Sequence, residues 1–342
     1  MIKEFKSMIY QEDDKINANE LYKDIDKYLY DVESTLPNDK KLSRRHPLKH
    51  ILNATSGGYV SPTSMKSFEL CPASYLFSKL VPEKVGSATS IGTTVHSIME
   101  KWHNLEGCQR TEEALYSIMD ELIKEDKQEE SRDTIKLYVD GYLDSYDYDN
   151  KDSKIDYKNL ICFNEVFIKP KINPLGVNLN IPIYLLVDRI DIRENGISVI
   201  DYKTGIGDPN PYLLGENGYL PQMIFYKWGV EAEYGQEIKS AYLCLPGAKS
   251  KEYKYTEMNV NSLVEQSKVV EQVKFHLDHI RNARNNKIFE EKIMRYCSSC
   301  PMKLFCKKYI TWKKLDENLI LNEIPINVNI NNNDFIEEKK EG

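Results

Sequence analysis

The chain has no apolar run near the roughly 20 residues that a bilayer-spanning helix needs. Its opening stretch, "MIKEFKSMIY", lacks the charged-then-apolar pattern of a secretory leader. A cytoplasmic setting is therefore expected, and the seven cysteines there are expected as thiols or metal ligands rather than disulfides. No Gly-x4-Gly-Lys-Ser/Thr phosphate loop occurs, so any helicase motor must come from another chain. No internal repeat is present. Positive charge is not in excess either: 46 Lys and Arg against 53 Asp and Glu give −7, which on its face argues against phosphate-rich partners. The deficit sits at the ends. Residues 1–40 hold 6 basic and 10 acidic groups and residues 326–342 hold 2 and 4, leaving 38 and 39 for the rest. Within that span "RNARNNK" (281–287) and "KLFCKKYITWKK" (303–314) gather basic residues, with aromatics interleaved in the second. Such a mixture suits single-stranded DNA, where cations follow the backbone and ring faces stack on bases. A solvated helix face accounts for "RNARNNK" equally well.

What is present is enough for a sizeable core: 342 residues, 41% hydrophobic. Periodicity predicts helices over 63–80, 88–104, 112–126, 130–148 and 259–284, with another around Gln222. Strand-like runs fall at 160–168, 181–192, 197–203 and 239–245. The order is α-β-β-β-α-β, with a polar, helix-prone stretch before residue 60 and an Asn-rich, then charged tail over 316–342, expected to be disordered.

The stretch "LLVDRIDIRENGISVIDYKTG" (185–205) poses the chemical question. Asn195-Gly196 predicts a two-residue type I′ turn, since both residues accept positive φ. Counting outward pairs Glu194 with Ile197, Ile192 with Val199, Ile190 with Asp201, and Asp188 with Lys203. Alternation then places Asp188, Asp201 and Lys203 on one face. Two carboxylates and an ammonium among Ile, Leu and Val are costly to bury without partners. A divalent cation held by oxygen ligands would offset that cost, and so would a solvated cross-strand pair.

"VDRID" followed by "VIDYKTG" resembles the paired signature of the PD-(D/E)XK nuclease superfamily in its RecB-like branch. The resemblance implies an α/β, restriction-endonuclease-like core, a mixed central sheet flanked by helices. It also implies Mg2+ or Mn2+ at Asp188 and Asp201, with Lys203 completing the Asp-x-Lys tripeptide and the Tyr202 carbonyl as a further ligand. "GTTVHSIMEKW" resembles the upstream helical motif and nominates His96 as a metal ligand. By itself, that His on a helix whose Ile91, Val95, Ile98 and Trp102 face a core reads as a packed residue. "YLPQMIFYKWG" resembles the downstream Gln-x-x-x-Tyr motif, giving Gln222 and Tyr226 on one side of a helix that Pro221 can open. Glu165, in "LICFNEVFI", is similar to an acidic residue of some relatives, and a surface Glu explains it equally well.

Cys297, Cys300 and Cys306 fall in "CSSCPMKLFC", with Cys71 far upstream in "FELCPASYLF". Zinc sites usually gather two close pairs, whereas four thiolates can hold a [4Fe-4S] cluster. This one-plus-three layout resembles the iron-sulphur nucleases, namely the AddB-type helicase-nuclease subunit and the CRISPR-associated exonuclease family. It implies a cluster stapling a helix near Ser61 to the C-terminal segment, with zinc the alternative. Cys162 and Cys244 read as core residues, and Cys108 has no assigned role. The implied organisation is an N-terminal helical extension (1–60), a nuclease domain (61–315) with a helical insert at 107–159, a core at 160–250 and a cluster segment at 290–310, then the tail. The implied activity is metal-dependent hydrolysis of DNA, from ends or on single strands. The chain would work as a free exonuclease or as a subunit beside a helicase or a CRISPR integrase; a lapsed DNA-end-binding scaffold is the alternative. Self-association is left open.

Overall fold

The computed structural model describes residues 15–34, 61–80, 91–169, 172–177, 183–194, 196–216, 218–298, 300, 303 and 305–311. The basic run at 40–50, the tail at 316–342 and the end of "KLFCKKYITWKK" lie outside the described residues. Eight helices of some length are described: α1 (Ala18–Ser34), α2 (Pro62–Leu70), α3 (Pro72–Leu80), α4 (Ile91–His103), α5 (Glu112–Glu125), α6 (Arg132–Leu143), α7 (Leu220–Tyr234) and α8 (Leu263–Asn286). Five strands, β2 (Ile161–Ile168), β3 (Leu185–Arg193), β4 (Gly196–Tyr202), β5 (Ile238–Cys244) and β6 (Tyr255–Met258), form one sheet in that order. β4 and β5 run parallel and the other neighbours antiparallel. The parallel pair needs a crossover, and α7 provides it.

β4 is buried on both faces from Ile197 onward, as its near-continuous apolar sequence requires. One face packs under α7 and α8 with Ile190, Val199, Ala241 and Leu243. The other packs under α4, α5 and α6 with Ile200, Tyr202, Tyr242 and Cys244, so the insert at 107–159 supplies a second helical layer. α7 carries Pro221 in its first turn and stops at Gly235, whose φ of 64° is the left-handed stop that glycine favours. Beyond Lys203 the chain turns against the β5 loop so closely that a Cβ on Gly247 would lie 2.2 Å from Gly205 O.

Three departures from the sequence expectation have physical reasons. The hairpin pairs Arg193 with Gly196, Ile192 with Ile197 and Ile190 with Val199, where the expected turn paired Glu194 with Ile197; Asn195 itself lies outside the described residues. This register sets Ile against Ile and Val instead of Ile190 against Asp201, and the ladder ends at Arg189 opposite Ile200; the shared face survives because the shift is two residues. The helix expected over 63–80 is two helices broken at Cys71, which is extended (φ −156°, ψ 105°) because it precedes Pro72. Finally, β1 (Lys15–Asn17) pairs antiparallel with β7 (Ile288–Glu290), and Ile16, Ala18, Leu21 and Ile25 join the main core. No helix of the described residues is long and apolar enough to cross a membrane.

Candidate metal centre

The site is built on a fault in the β2–β3 ladder. Asn164 pairs with Arg189 and Val166 with Val187, but the intervening Glu165 and Asp188 drop out of the pairing. Alternation slips there on both strands. On β2, Cys162 packs toward α4–α6 while Val166 and Ile168 pack toward α7–α8; on β3, Leu185 and Val187 pack with α7–α8, and so does Ile190. Glu165 carries φ 48°, the left-handed region that side-chain-bearing residues avoid. Strain of this kind persists where surrounding structure enforces it, and it clusters at functional positions.

The consequence is a convergence of ligating atoms. One atom each from His96, Glu165 and Asp188 lies within 4.8 Å of the others, a metal-sized group among the described residues. His96 comes from α4, whose Val95, Ile98, Met99 and Trp102 are buried, leaving His96 half-exposed. Its Nε2 lies 3.0 Å from Tyr202 O and its Nδ1 3.6 Å from Asp188 Oδ2. Asp188 Oδ2 also accepts from Tyr202 N at 2.8 Å. Asp201 is buried; its Oδ1 accepts from Gln222 Nε2 (3.0 Å) and Tyr226 OH (3.3 Å), and Gln222 Nε2 reaches Tyr226 OH at 2.7 Å. Asp201 Oδ2 is buried against the Lys203 ammonium with no hydrogen bond of regular geometry. Lys203 Nζ also lies 5.1 Å from the centre of the Tyr219 ring.

These surroundings set the protonation states. Burial and the neighbouring Asp201 push the Asp188 carboxyl well above the usual carboxylate range, and burial with Glu100 raises that of Glu165. Burial lowers the His96 pKa, with Asp201 opposing, so a neutral imidazole with a lone pair is favoured. Burial alone would lower the Lys203 pKa, but Asp201 and Asp188 outweigh it and keep the ammonium charged.

Behind the site lies a polar network that sequence reading did not find. Arg189, fully buried, donates from Nη1 to Tyr202 OH (2.8 Å) and Tyr142 OH, and from Nη2 to Tyr255 OH (3.0 Å) and Asp191 Oδ2 (3.2 Å). Its Nε faces Asp191 Oδ1 at 2.8 Å, and Tyr148 OH donates to Asp191 Oδ2 at 3.0 Å. The network anchors the ring of Tyr202, whose backbone touches both His96 and Asp188. The signal was masked in "VDRIDIR": Arg189, Asp191 and Arg193 alternate with Ile190 and Ile192, a pattern that reads as an ordinary half-solvated strand.

Of the cysteines expected as a set, Cys71 and Cys300 are brought to the first turn of α3 from opposite ends of the chain, while no three thiols lie within 4.8 Å of one another among the described residues. Cys71, at the α2–α3 break, has Sγ 4.0 Å from Glu290 O, and Cys300 Sγ is 3.7 Å from Ser74 Oγ one turn along α3. Cys297 Sγ accepts from Met294 N (3.1 Å) and Cys306 Sγ from Tyr309 N (3.3 Å). Burial and Glu291 push the Cys306 thiol up to about 12. Cys162 and Cys244 lie in or against the α4–α6 core as expected, and Cys108 is exposed. The basic patches are less available than their composition suggests. Arg284 is buried and donates to Tyr75 OH at 2.6 Å, Arg281 pairs with Asp278, and Phe305 packs against Phe77.

A mixed sheet between two helical layers, with carboxylates, a helix-borne His and Asp-x-Lys gathered at a fault between strands, has the architecture of a restriction-endonuclease-like nuclease core. The family model for the PD-(D/E)XK nuclease superfamily matches residues 59–307, and the chain belongs to that superfamily. No curated protein matches it in sequence.

Proposed function

We propose that the chain is a deoxyribonuclease dependent on Mg2+ or Mn2+, acting as an exonuclease on single-stranded DNA or DNA ends. The observation that carries this reading is the convergence of His96, Glu165 and Asp188 beside the Asp201–Lys203 pair. The donor set fits a hard divalent cation: two carboxylates and a neutral imidazole, with the Tyr202 carbonyl and the buried Asp201 Oδ2 at hand. Such a cation, when bound, lowers the pKa of a water and offsets the charge that develops at phosphorus.

The chain's own groups do the rest. His96, Asp188, Asp201, Glu165 and the Tyr202 carbonyl would hold the cation. Lys203, kept charged by its carboxylate neighbours, neutralises the phosphate or orients the attacking water. Gln222 and Tyr226 fix Asp201 through its Oδ1, and Arg189 holds the Tyr202 ring. We also keep the [4Fe-4S] cluster as part of this reading. Support for it is that Cys71 and Cys300, more than two hundred residues apart in sequence, both lie at the first turn of α3, and that backbone N–H groups donate to the sulfurs of Cys297 and Cys306. Its role would be to join α2 and α3 to the C-terminal segment. A helicase or an integrase remains the kind of machine such an exonuclease would serve, with the motor on another chain.

The test is digestion of end-labelled single and double strands by the full chain with Mn2+. Asp188→Ala and Lys203→Ala should each abolish cleavage while retaining the wild-type circular dichroism spectrum. Undiminished cleavage by both overturns the assignment.

A further inference from the structure

We propose that the cleft beside the metal centre is a seat for an unpaired nucleobase of the strand being cut. The inference rests on the nuclease reading above and names the part of the substrate that the site grips. The cleft encloses about 380 Å³ and is lined by Thr63, Phe167, Tyr184, Leu186, Gln222 and Tyr226, among others. That volume lies in the range of small-ligand pockets, roughly 300–1,000 Å³. It suits a flat heterocycle, whereas a duplex presents a groove about 12 Å across and meets a broad surface.

Three features favour a base over a phosphate as the occupant. Phe167 and Leu186, opposite each other in the β2–β3 ladder, are 58% and 49% exposed, although most of β3 is buried. The Phe167 and Tyr184 rings meet edge to face at 5.4 Å, which leaves an aromatic wall to the cleft. No Lys or Arg is among the described lining residues, so affinity inside the cleft comes from ring faces and not from neutralising charge. Lys169 stands just outside, its Nζ 4.8 Å from the Tyr184 ring centre and 5.7 Å from that of Phe167, where a backbone phosphate would follow the stacked base.

The cleft is continuous with the chemistry. Gln222 and Tyr226 line it and hydrogen-bond Asp201, and Phe167 stands two residues beyond Glu165 on β2. A base against the aromatic wall therefore places its strand beside the metal-ligating groups. A paired base has both its faces and its edge occupied and cannot enter, so the cleft selects single strands.

The test uses the full chain with Ca2+ in place of Mn2+ to suspend cleavage, and fluorescence anisotropy as the readout. The probes are an oligothymidylate of about 12 nucleotides, an abasic oligomer of the same length and charge, and the corresponding duplex. Wild type should prefer the thymidylate to the abasic strand and the duplex. Phe167→Ala with Tyr184→Ala should weaken thymidylate binding roughly 5- to 150-fold, the range for loss of one stacked base. Abasic binding should stay unchanged, and Phe167→Trp should retain the preference. Equal wild-type affinity for abasic and thymidylate strands overturns the proposal, as does a double variant that keeps the preference. The first of these outcomes would fit a wall that receives a partner protein's apolar side chain, and the second a base held elsewhere. The two readings fail separately: base preference without Mn2+-dependent cleavage removes the nuclease and leaves the base seat, and cleavage without base preference does the reverse.

Discussion

Replacing Glu165 by glycine separates what this position costs the fold from what it gives the site. An L residue in the left-handed region, as at φ 48°, is strained by about 1–2 kcal/mol. Glycine takes that conformation freely but loses about 0.5–1 kcal/mol through its greater unfolded-state entropy. The balance favours Glu165→Gly by about 0.5–1 kcal/mol in the metal-free protein, or a rise in Tm of about 1 °C for a chain of this size. The gain depends on pH with a definite sign. Burial and Glu100 raise the folded-state pKa of Glu165, so its carboxyl weakens the fold as pH climbs through that value. Its removal should therefore help more at neutral pH than in acid. Metal reverses the ranking. Mn2+ at 100 times its Kd stabilises wild type by about 2.7 kcal/mol, and even outer-shell changes weaken metal sites about 10- to 100-fold. A hundredfold loss would leave only about 0.4 kcal/mol of that effect. Thermal unfolding in EDTA and in Mn2+ reads both quantities. A variant several degrees less stable in EDTA refutes the strain argument, and an undiminished Mn2+ shift refutes Glu165 as a ligand.

Arg189→Leu leaves Asp191 buried without its partner and should cost about 3–5 kcal/mol in urea unfolding, whereas Arg189→Met combined with Asp191→Leu should cost much less. Because the Asp188 and Glu165 carboxyls are both raised, protons compete with the cation: Mn2+ affinity by calorimetry should rise with pH, about tenfold per unit for each proton displaced, and a flat profile contradicts this. Protein purified without oxygen should carry iron and a visible absorption band that Cys300→Ser removes; stoichiometric zinc in a colourless protein would replace the cluster by a zinc site and leave the nuclease assignment standing.

Local rules made much of this legible. The 3.6-residue period put Gln222 and Tyr226 on one face of a helix, and the two-residue period put Asp201 and Lys203 on one face of a strand. Both hold because each rests on neighbours in sequence. The hairpin register was missed because Asn-Gly marks a turn that the strands overruled: Ile192 against Ile197 buries more than Ile190 against Asp201 would. Glu165 was readable as an acid in an apolar strand and, through the resemblance, as an acidic residue of some relatives, but the slip in alternation that brings it to His96 and Asp188 is contained in no strict period. The β1–β7 pairing joins residues some 270 apart, beyond any local signal. The break at Cys71 had a local signal in Pro72, which the expectation of one helix over 63–80 passed over.

The measurement that tests the central claim most directly is anomalous diffraction at the manganese edge from crystals of the full chain grown with Mn2+. The account predicts an anomalous peak bounded by His96, Glu165 and Asp188, with the Tyr202 carbonyl and Asp201 adjacent. A crystal that binds manganese elsewhere, or leaves these side chains with no peak between them at saturating metal, contradicts it.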